Sequence, residues 1–284
     1  MEIIERLREI IGKQRDTGSI GLLYSGGLDS SIIAKLMASF MEPTSIVLIS
    51  VGLNDCYDMK MASLGSKYLG INLHKYILTK ERVMEAVWSL KQMNVIHHPV
   101  ALSIAIPIFL GMKKITKDFN TKTVFLGQGA DELFGGYQKY IEIYKSQGGE
   151  ATRKIMIDDL EALQNDQIIR EQNIAQYFGL NIIYPYLDSE IIREAKKYPL
   201  TTHIEQTPEG ALIRKALLRK IAQKIGLPSE ITQQPKKAIQ YGSGTVKLLR
   251  IIAKSSNYQN ISEWFQICFQ PDEFSSSKKF EKPL

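Results

Sequence analysis

The sequence predicts an α/β fold in which a parallel, doubly wound sheet is followed by a mainly helical second half. Short apolar runs alternate with helical patterns through the first half of the chain, and glycine-rich turns that carry acidic residues follow two of these runs. After Asp131 helical patterns dominate. Strands that alternate with helices form parallel βαβ units, and helices then cover both faces of the sheet.

The elements of the first half follow from hydrophobic periodicity, since a period of 3.6 predicts helices and short β-rich apolar runs predict strands. In chain order we predict a helix at 2–14, a strand at 20–24, a helix at 30–41, a strand at 45–51, a helix at 59–68 that closes at Gly70, a strand at 73–78, helices at 81–93 and 101–119, and a strand at 123–126.

The second half contains one weak extended stretch, 182–186, among helical patterns. Thr207-Pro208-Glu209 predicts a helix start, because a cap residue precedes a proline at the first helical position, and Gly226 predicts the stop. We expect one domain over 1–254, with an α/β core at 1–150 and a helical portion at 151–254. A polar tail at 255–284 should end in disorder.

Composition narrows the class of protein. A chain of 284 residues with 44% hydrophobic residues can bury a sizeable core. The apolar stretch 101–112 is interrupted by Pro107 and is too short to cross a bilayer, and acidic residues interrupt the amino end, so we expect a cytoplasmic protein without membrane contact. Cys56 and Cys268 cannot form a disulfide framework, a CxxC pair or a thiolate zinc site.

The net charge of +6 is concentrated at 211–254, where ten Lys and Arg residues face one acidic residue, Glu230. A solvated helical face is the ordinary interpretation of such a run. The segment has one aromatic residue, Tyr241, so it offers no stacking platform for nucleic acid. We therefore favour the phosphate groups of a small ligand over RNA as the anionic partner.

The turn Ser25–Ser30 follows the first predicted strand and opens a helix. Gly26 and Gly27 let backbone N–H groups approach a phosphate, and the helix contributes the positive end of its dipole. The turn matches neither GxxxxGK[ST] nor GxGxxG. The glycines by themselves favour an ordinary turn in which Asp29 or Ser30 caps the helix.

A carboxylate beside a polyphosphate is repulsive unless a cation lies between them. Magnesium is commonly held by one or two carboxylates together with phosphate oxygens. Asp131 and Glu132 follow another predicted strand end, so Asp29 and Asp131 can clamp Mg-ATP between two loops. Asp131 and Glu132 can also be first-turn charges that complement a helix dipole.

Four segments carry a resemblance to a known family. SGGLDSS at 25–31 resembles the loop of the ATP-pyrophosphatase superfamily, and LGQGADELFGGY at 126–137 is similar to the motif of asparagine synthetases and the related β-lactam synthetases. SVGL at 50–53 and YPYLD at 184–188 resemble further segments in the same order. The likeness covers roughly 20–244 and implies an adenine nucleotide alpha hydrolase-like fold.

The resemblance implies an AMP-forming ligase. A carboxylate attacks the α-phosphorus of ATP, pyrophosphate leaves, and ammonia or an amine captures the acyl-adenylate. By resemblance, Asp29 and Asp131 bind magnesium. The residues that would bind pyrophosphate are Ser25, Gly26, Gly27, Asp29 and Ser30. The residues that would line the adenosine pocket are Val51, Leu126 and Gly127. Lys236 corresponds to the lysine that stabilises the transition state, with Lys237 as the alternative.

The sequence departs from the family in several places. Glu2 follows Met1 where full-length synthetases have the catalytic cysteine of a glutaminase domain, so we expect free ammonia, a separate glutaminase subunit or an amine substrate to supply nitrogen. Gln128 replaces the glutamate of GEGxDE and has no basicity, although it can orient a nucleophile. Ser103 and Ile183 replace arginines that clamp a substrate carboxylate.

These changes suggest that nucleotide activation is retained while the acceptor side is altered, so the acid need not be aspartate. For the missing base, Glu132 is a better candidate than His97 or His98, whose loop position is typical of polar surface. Two other functions stay open, a tRNA-modifying adenylating enzyme and a nucleotide-binding regulatory protein without turnover. The sequence is compatible with a homodimer but does not fix the oligomeric state.

Overall fold

The computed structural model describes residues 2–15, 18–235 and 237–269 and contains a five-stranded parallel sheet. The strand order is β3-β2-β1-β4-β5, and each neighbouring pair is parallel. The strands are β1 (Ile20–Leu23), β2 (Ile46–Gly52), β3 (Leu73–Ile77), β4 (Thr123–Phe125) and β5 (Asn181–Ile183). The predicted fold class is confirmed.

Helices surround this sheet. They are α1 (Glu2–Gly12), α2 (Leu28–Met37), α3 (Tyr57–Leu69), α4 (Lys80–Gln92), α5 (Pro99–Phe119), α6 (Ala130–Phe134), α7 (Gln138–Leu163), α8 (Ile169–Tyr177), α9 (Ser189–Lys197), α10 (Leu200–His203), α11 (Ala216–Lys224), α12 (Ser229–Thr232), α13 (Ile239–Gly242), α14 (Thr245–Ser255) and α15 (Ile261–Cys268). A π-helical segment, Gln164–Ile168, joins α7 to α8.

The switch of strand order falls between β1 and β4. Ile20 of β1 pairs with Ile46 on one side and with Thr123 on the other, so the chain leaves β1 toward β2 and returns to its opposite edge. The loops after Leu23 and Phe125 therefore emerge side by side at the carboxyl edge. Ligands of open parallel sheets collect at such a point.

Each face of the sheet has its own apolar core. Residues of α1, α2, α9 and α11 pack with Leu22, Leu48 and Phe125 on one face. Residues of α4, α5, α14 and α15 pack with Ile49 and Val124 on the other. Every residue of β2 is buried, as expected for a central strand covered on both sides.

Helix α5 runs through Pro107 without a break. Within the described ranges it is the one helix long and apolar enough to cross a membrane by length and composition, and 67% of its most apolar window is buried inside the protein. The apolar stretch is thus longer than the sequence suggested. Its side chains pack in the core between the sheet and the carboxyl-terminal helices.

The predicted helix start at Thr207 is wrong. Residues 205–213 form an antiparallel hairpin of β6 (Glu205–Gln206) and β7 (Leu212–Ile213). The Thr207 N–H donates to the Ala211 carbonyl at 2.8 Å, and Gly210 takes φ +85°, which closes the turn. Helix α11 begins only at Ala216, although Gly226 follows its end as expected.

The division at residue 150 stays a prediction, although α7 crosses it with a kink at Gly148. The expected irregular tail from residue 255 is wrong over 261–268. Helix α15 is capped by the Asn260 side chain, which accepts from the Glu263 N–H at 2.9 Å, and its Trp264 is fully buried against the core. The end of the tail, 275–284, where we expected disorder, lies outside the described residues.

Replacing Trp264 by alanine should lower the free energy of unfolding by about 3–5 kcal/mol, because a buried tryptophan leaves a cavity. Urea unfolding followed by circular dichroism measures the change. Ile267→Ala on the same helix is the control, since its side chain is 41% exposed and its loss should cost little. Equal stability of the two variants would show that α15 contributes nothing to the core.

Candidate active site

The glycine turn connects β1 to α2 at the switch point. Gly27 is the N-cap residue and has no side chain that could cap the helix, which leaves the first N–H groups of α2 for a ligand. Ser25 Oγ accepts from the Gly27 N–H at 3.3 Å, and Ser30 Oγ donates to the Gly27 carbonyl at 3.2 Å. The predicted pyrophosphate residues are therefore gathered in one loop.

Gly26 is fixed by both conformation and space. Its φ is +72°, a value that L side chains rarely adopt. A Cβ atom there would lie 2.2 Å from the Met61 carbonyl carbon and 2.3 Å from the Ala62 nitrogen, both in the backbone of α3. The loop can therefore lie against α3 only with glycine at this position.

The second loop follows β4 and places Asp131 in the first turn of the short helix α6. The loop enters this helix through Gly129 at φ +87°. Gly127 lies against Asp29, because a Cβ at Gly127 would come within 3.4 Å of the Asp29 Cβ. The two predicted metal ligands are thus brought to the same place.

A buried lysine joins these two carboxylates. The Lys215 ammonium lies 2.7 Å from both carboxylate oxygens of Asp29 and 2.7 Å from Asp131 Oδ1. Its side chain is 4% exposed, against 15% for Asp29 and 10% for Asp131. Lys215 itself has φ +54° where the chain enters α11. An ammonium between two carboxylates keeps their charges tolerable in a buried site.

Gly136 provides the space for this contact. A Cβ at Gly136 would lie 1.9 Å from Asp131 Oδ1 and 2.3 Å from Lys215 Cε. The Gly136 N–H donates to the Asp131 carbonyl at 2.7 Å, and its own carbonyl accepts from Arg214 at 3.1 Å. The segment Gly135-Gly136 after α6 therefore holds Asp131 and the Lys215 chain together.

The side chains present can bind a magnesium ion only together with ligands from phosphate and water. Among the described residues, no group of three or more His, Cys, Asp or Glu side chains could hold a metal. Asp29 and Asp131 nevertheless approach one common cation, the Lys215 ammonium. Two carboxylates suit Mg²⁺ when phosphate oxygens and water complete its octahedral shell.

One cavity connects these groups. Tyr24, Asp58 and Gln167 line it together with predicted site residues, namely Ser25, Asp29, Ser30, Val51, Leu126, Gly127, Gln128 and Asp131. Leu23, Ile49 and Ile108 add apolar wall. Val51 and Leu126 belong to the core as well, so their side chains both pack the sheet and face the cavity.

Glu132 does not line this cavity. It is 5% exposed and lines a smaller cavity with Arg153 and His203. Its Oε1 accepts from the Tyr137 hydroxyl at 2.6 Å, and Tyr137 in turn lines the larger cavity. Burial, and then the neighbouring Asp131, raise the pKa of Glu132. This position offers Glu132 as a partner of Tyr137 and not as a base that faces the cavity.

Gln128 faces the cavity and contacts a residue that the sequence analysis missed. Its Nε2 donates to Glu171 Oε1 at 2.8 Å. Gln167 Nε2 donates to the same oxygen at 2.8 Å. Glu171 is fully buried on α8, and burial raises its pKa to about 7. The glutamine in place of the family glutamate is therefore held by a buried carboxyl group.

The other predicted site residues are two lysines before α13 and two histidines before α5. Lys236 lies outside the described residues. Lys237 lines the cavity, and its ammonium lies 4.0 Å from the centroid of the Tyr57 ring. His97 is exposed, and His98 caps α5 by accepting from the Ala101 N–H at 3.2 Å, as the surface interpretation predicted.

Ser103 and Ile183, where the resemblance predicts arginines, do not line the cavity that contains Ser25 and Asp29. Ser103 is buried on α5 and donates to the Val100 carbonyl at 2.7 Å. Ile183 is in β5 and packs against the core on the α1 face. Both side chains make contacts only within their own surroundings, and neither carries a positive charge.

The fold and site together define a class. A doubly wound parallel sheet carries a glycine turn at its switch point, an uncapped helix N-terminus, and an ion-paired cluster of Asp29, Asp131 and Lys215. Such an arrangement is that of a phosphate-binding α/β protein.

Comparison with known proteins gives the family. The model of the Asparagine synthase family matches residues 2–148 and 141–266, so the chain belongs to the asparagine synthase family. It is 29% identical over 276 residues to a putative glutamine-hydrolyzing asparagine synthetase of Methanocaldococcus jannaschii, with 88% of this chain and 50% of that protein covered. The predicted family is confirmed.

Two further relatives are glutamine-hydrolyzing asparagine synthetases. The protein of Brassica oleracea is 26% identical and that of Rattus norvegicus 27%, covering 79% and 80% of this chain and 39% and 40% of theirs. The chain thus spans half or less of the length of these relatives. A solved structure, a predicted subunit of a tRNA methyltransferase from M. jannaschii, has a TM-score of 0.34 at 17% identity, over 77% of this chain and 93% of that one.

Proposed function

We propose that this chain is an ATP-dependent, AMP-forming carbon–nitrogen ligase. A substrate carboxylate oxygen attacks the α-phosphorus of ATP, and the bond from that phosphorus to the bridging oxygen breaks, so pyrophosphate leaves with the electron pair. The nitrogen of ammonia or an amine then attacks the acyl carbon of the acyl-adenylate, loses a proton, and AMP leaves. The observation that carries this proposal is the ion-paired cluster beside the SGGLDSS loop.

The cluster suits a leaving pyrophosphate. The N–H groups at the start of α2 and the Lys215 ammonium supply positive charge where the leaving group becomes more negative. Asp29 and Asp131 would hold magnesium, which supplies further neutralisation of the phosphate oxygens. Both carboxylates are largely buried, so their interactions are screened little by solvent.

The adenosine is assigned to the apolar part of the cavity. Val51 and Leu126 offer apolar contact, and Gly127 leaves space for close approach. Ser50, which precedes Val51 on β2, also lines the cavity. The Lys236 role as transition-state cation remains part of the proposal by resemblance.

The nitrogen source is free ammonia, a separate glutaminase subunit, or an amine that is itself a substrate. Gln128, Ser103 and Ile183 all bear on the acceptor side, so aspartate need not be the acid. Reaction with small soluble substrates is consistent with the cytoplasmic location that we also propose.

Pyrophosphate–ATP exchange, screened over amino acids and other carboxylates, tests the activation step. We expect at least one acid to stimulate exchange, and Asp29→Ala to lower it by about 100-fold or more, the effect of losing one preorganised electrostatic partner. Asp55→Ala is the matched control, because Asp55 is an exposed aspartate after β2 that does not line the cavity. Saturable Mg-ATP binding without exchange for any acid would instead support a regulatory protein, and activity lost on nuclease treatment a tRNA-modifying enzyme.

A further inference from the structure

The buried contact between Gln128 and Glu171 bears on the second half of the reaction. Both oxygens of a carboxylate accept hydrogen bonds, whereas a carboxamide has one accepting end and one donating end. Gln128 and Gln167 each place Nε2 at 2.8 Å from Glu171 Oε1. Each amide therefore turns its donating end toward Glu171, and its carbonyl oxygen points away.

Both glutamines line the cavity that contains Ser25, Asp29 and Asp131, while Glu171 lies behind them and is fully buried. The π-helical segment Gln164–Ile168 ends one residue before α8 begins and sets Gln167 on the same side as Glu171. Two residues of the cavity wall are therefore amides whose carbonyl oxygens, uncharged hydrogen-bond acceptors, are not used by Glu171.

We propose that Glu171 is a positioning residue that orients the amides of Gln128 and Gln167, so that their carbonyl oxygens form an acceptor site for ammonia or a primary amine. A nucleophile with two N–H groups can donate to both carbonyls and still direct its lone pair at the acyl carbon. A secondary amine has one N–H and satisfies one carbonyl only. The inference rests on the proposed ligase function and assigns its nucleophile class.

The same contact gives a physical reason for glutamine at position 128. A glutamate there would place a second carboxylate at hydrogen-bond distance from Glu171, and two carboxylates this close cannot both be ionised. Glutamine is the isosteric residue that donates to the buried carboxylate. Glutamine at this position cannot take a proton from the amine. Its oriented carbonyl oxygen can instead accept a hydrogen bond from an amine that is already neutral.

The ionised state of Glu171 is the one that orients the amides. Burial raises the pKa of this carboxyl to about 7. The titratable and charged groups around it are the Tyr184 hydroxyl after β5, the Arg170 guanidinium on its own helix and, on the π-helical segment, Asp166, which pairs with Arg170 at 3.1 Å. The charged residues of α5, which packs against α8, all lie from Lys113 onward.

The rate of amine capture should depend on the protonation state of Glu171. Above the pKa the carboxylate accepts both amide N–H groups, and below it the carboxylic O–H competes as a donor and allows an amide to turn over. Capture of the amine should therefore fall as pH drops below about 7, by up to tenfold per unit. The activation step uses none of these groups and should not show this dependence.

Two related nucleophiles test the acceptor site. With the acid identified by exchange, O-methylhydroxylamine offers two N–H groups, whereas N,O-dimethylhydroxylamine offers one N–H group and no O–H group, and both amines are neutral at pH 7. We expect the wild-type protein to form the acyl product from O-methylhydroxylamine about tenfold faster or more, with a low-pH limb near 7. In Glu171→Gln the preference and the limb should disappear, while pyrophosphate–ATP exchange stays within about twofold.

A measurement without turnover separates this inference from the proposed function. The side-chain amide signals of Gln128 and Gln167, observed in protein labelled with [¹⁵N]glutamine and assigned by single substitution, should titrate together near pH 7 and lose that titration in Glu171→Gln. Absence of titration in the folded wild type overturns the inference. Absence of exchange for every acid, with the titration present, overturns the ligase function and leaves the orientation of the amides supported.

A purely structural role for Glu171 has a different outcome. Glu171→Gln would then reduce exchange and capture in parallel and keep the preference between the two nucleophiles, which overturns the inference. Glu161→Gln on α7 is the matched control, because this glutamate is exposed and should change neither measurement.

Discussion

Replacing Lys215 by methionine is expected to abolish pyrophosphate–ATP exchange and to lower the free energy of unfolding by about 3–5 kcal/mol, the cost of removing one partner from a buried ion pair. Methionine fills the volume but leaves Asp29 and Asp131 facing each other without the ammonium that lies 2.7 Å from both. Urea unfolding gives the stability, and exchange with the identified acid gives the activity.

Magnesium makes this expectation more specific. With the ammonium gone, a divalent cation can take its place between the carboxylates, so added magnesium should raise the melting temperature of Lys215→Met more than that of the wild type. Lys220→Met is the control, since Lys220 forms an exposed pair with Glu205 and should change stability by less than about 1 kcal/mol. A Lys215→Met protein as stable and active as the wild type would show that the cluster has no role.

Gly26→Ala should have the second largest effect. The new methyl group would collide with the backbone of Met61 and Ala62 at 2.2 and 2.3 Å, and backbone of a packed helix cannot move aside as a flexible side chain can. We expect loss of ATP binding, measured by calorimetry, and destabilisation by about 2 kcal/mol or more, since overpacking typically costs 1–3 kcal/mol and positive φ adds strain.

The matched control separates the collision from the strained dihedral. Gly179 has φ +65°, close to that of Gly26, and an added Cβ there meets no atom within 4 Å. Gly179→Ala should therefore show the dihedral penalty alone, on the order of 1 kcal/mol, with ATP binding unchanged. If both variants bound ATP equally well, the close approach of the loop to α3 would be irrelevant to nucleotide binding.

Much of the fold could be predicted from the sequence because the hydrophobic period changes sharply between strands and helices. The parallel sheet, helix α5 through Pro107 and the turn at Gly70 all correspond to such local patterns. The hairpin at 205–213 was missed since Thr207-Pro208 is also a good turn, and Gly210 decides between the two. Helix α15 was missed because polar neighbours obscured the buried pair Trp264 and Phe265.

The positions of the glycine turn Ser25–Ser30 and of Asp131 could be predicted because each follows the end of a strand. Lys215 could not be predicted, since it reaches Asp29 across 186 residues of chain and lies in a basic segment that resembles a solvated face. The helical period gave no signal either, because Lys215 precedes α11 with φ +54° and its side-chain direction is not set by that helix.

The contact of Glu171 with Gln128 was even harder to predict from the sequence. Its position on α8 becomes meaningful only when the loop after β4 brings Gln128 to it, a contact between residues 43 apart in sequence. Periodicity marks a helix face as buried, but it does not reveal which distant side chain completes a hydrogen bond. Long-range polar contacts of this kind are set by tertiary structure and were therefore beyond the sequence patterns.

In the protein alone the acidic pair already has a counter-ion that is covalently part of the chain. Free magnesium would have to displace the Lys215 ammonium from both carboxylates. A nucleotide that arrives with its metal brings phosphate oxygens for the ammonium at the same moment. Under the proposed function, loading should therefore be ordered, with the metal entering as part of the nucleotide complex while the lysine exchanges one anionic neighbour for another.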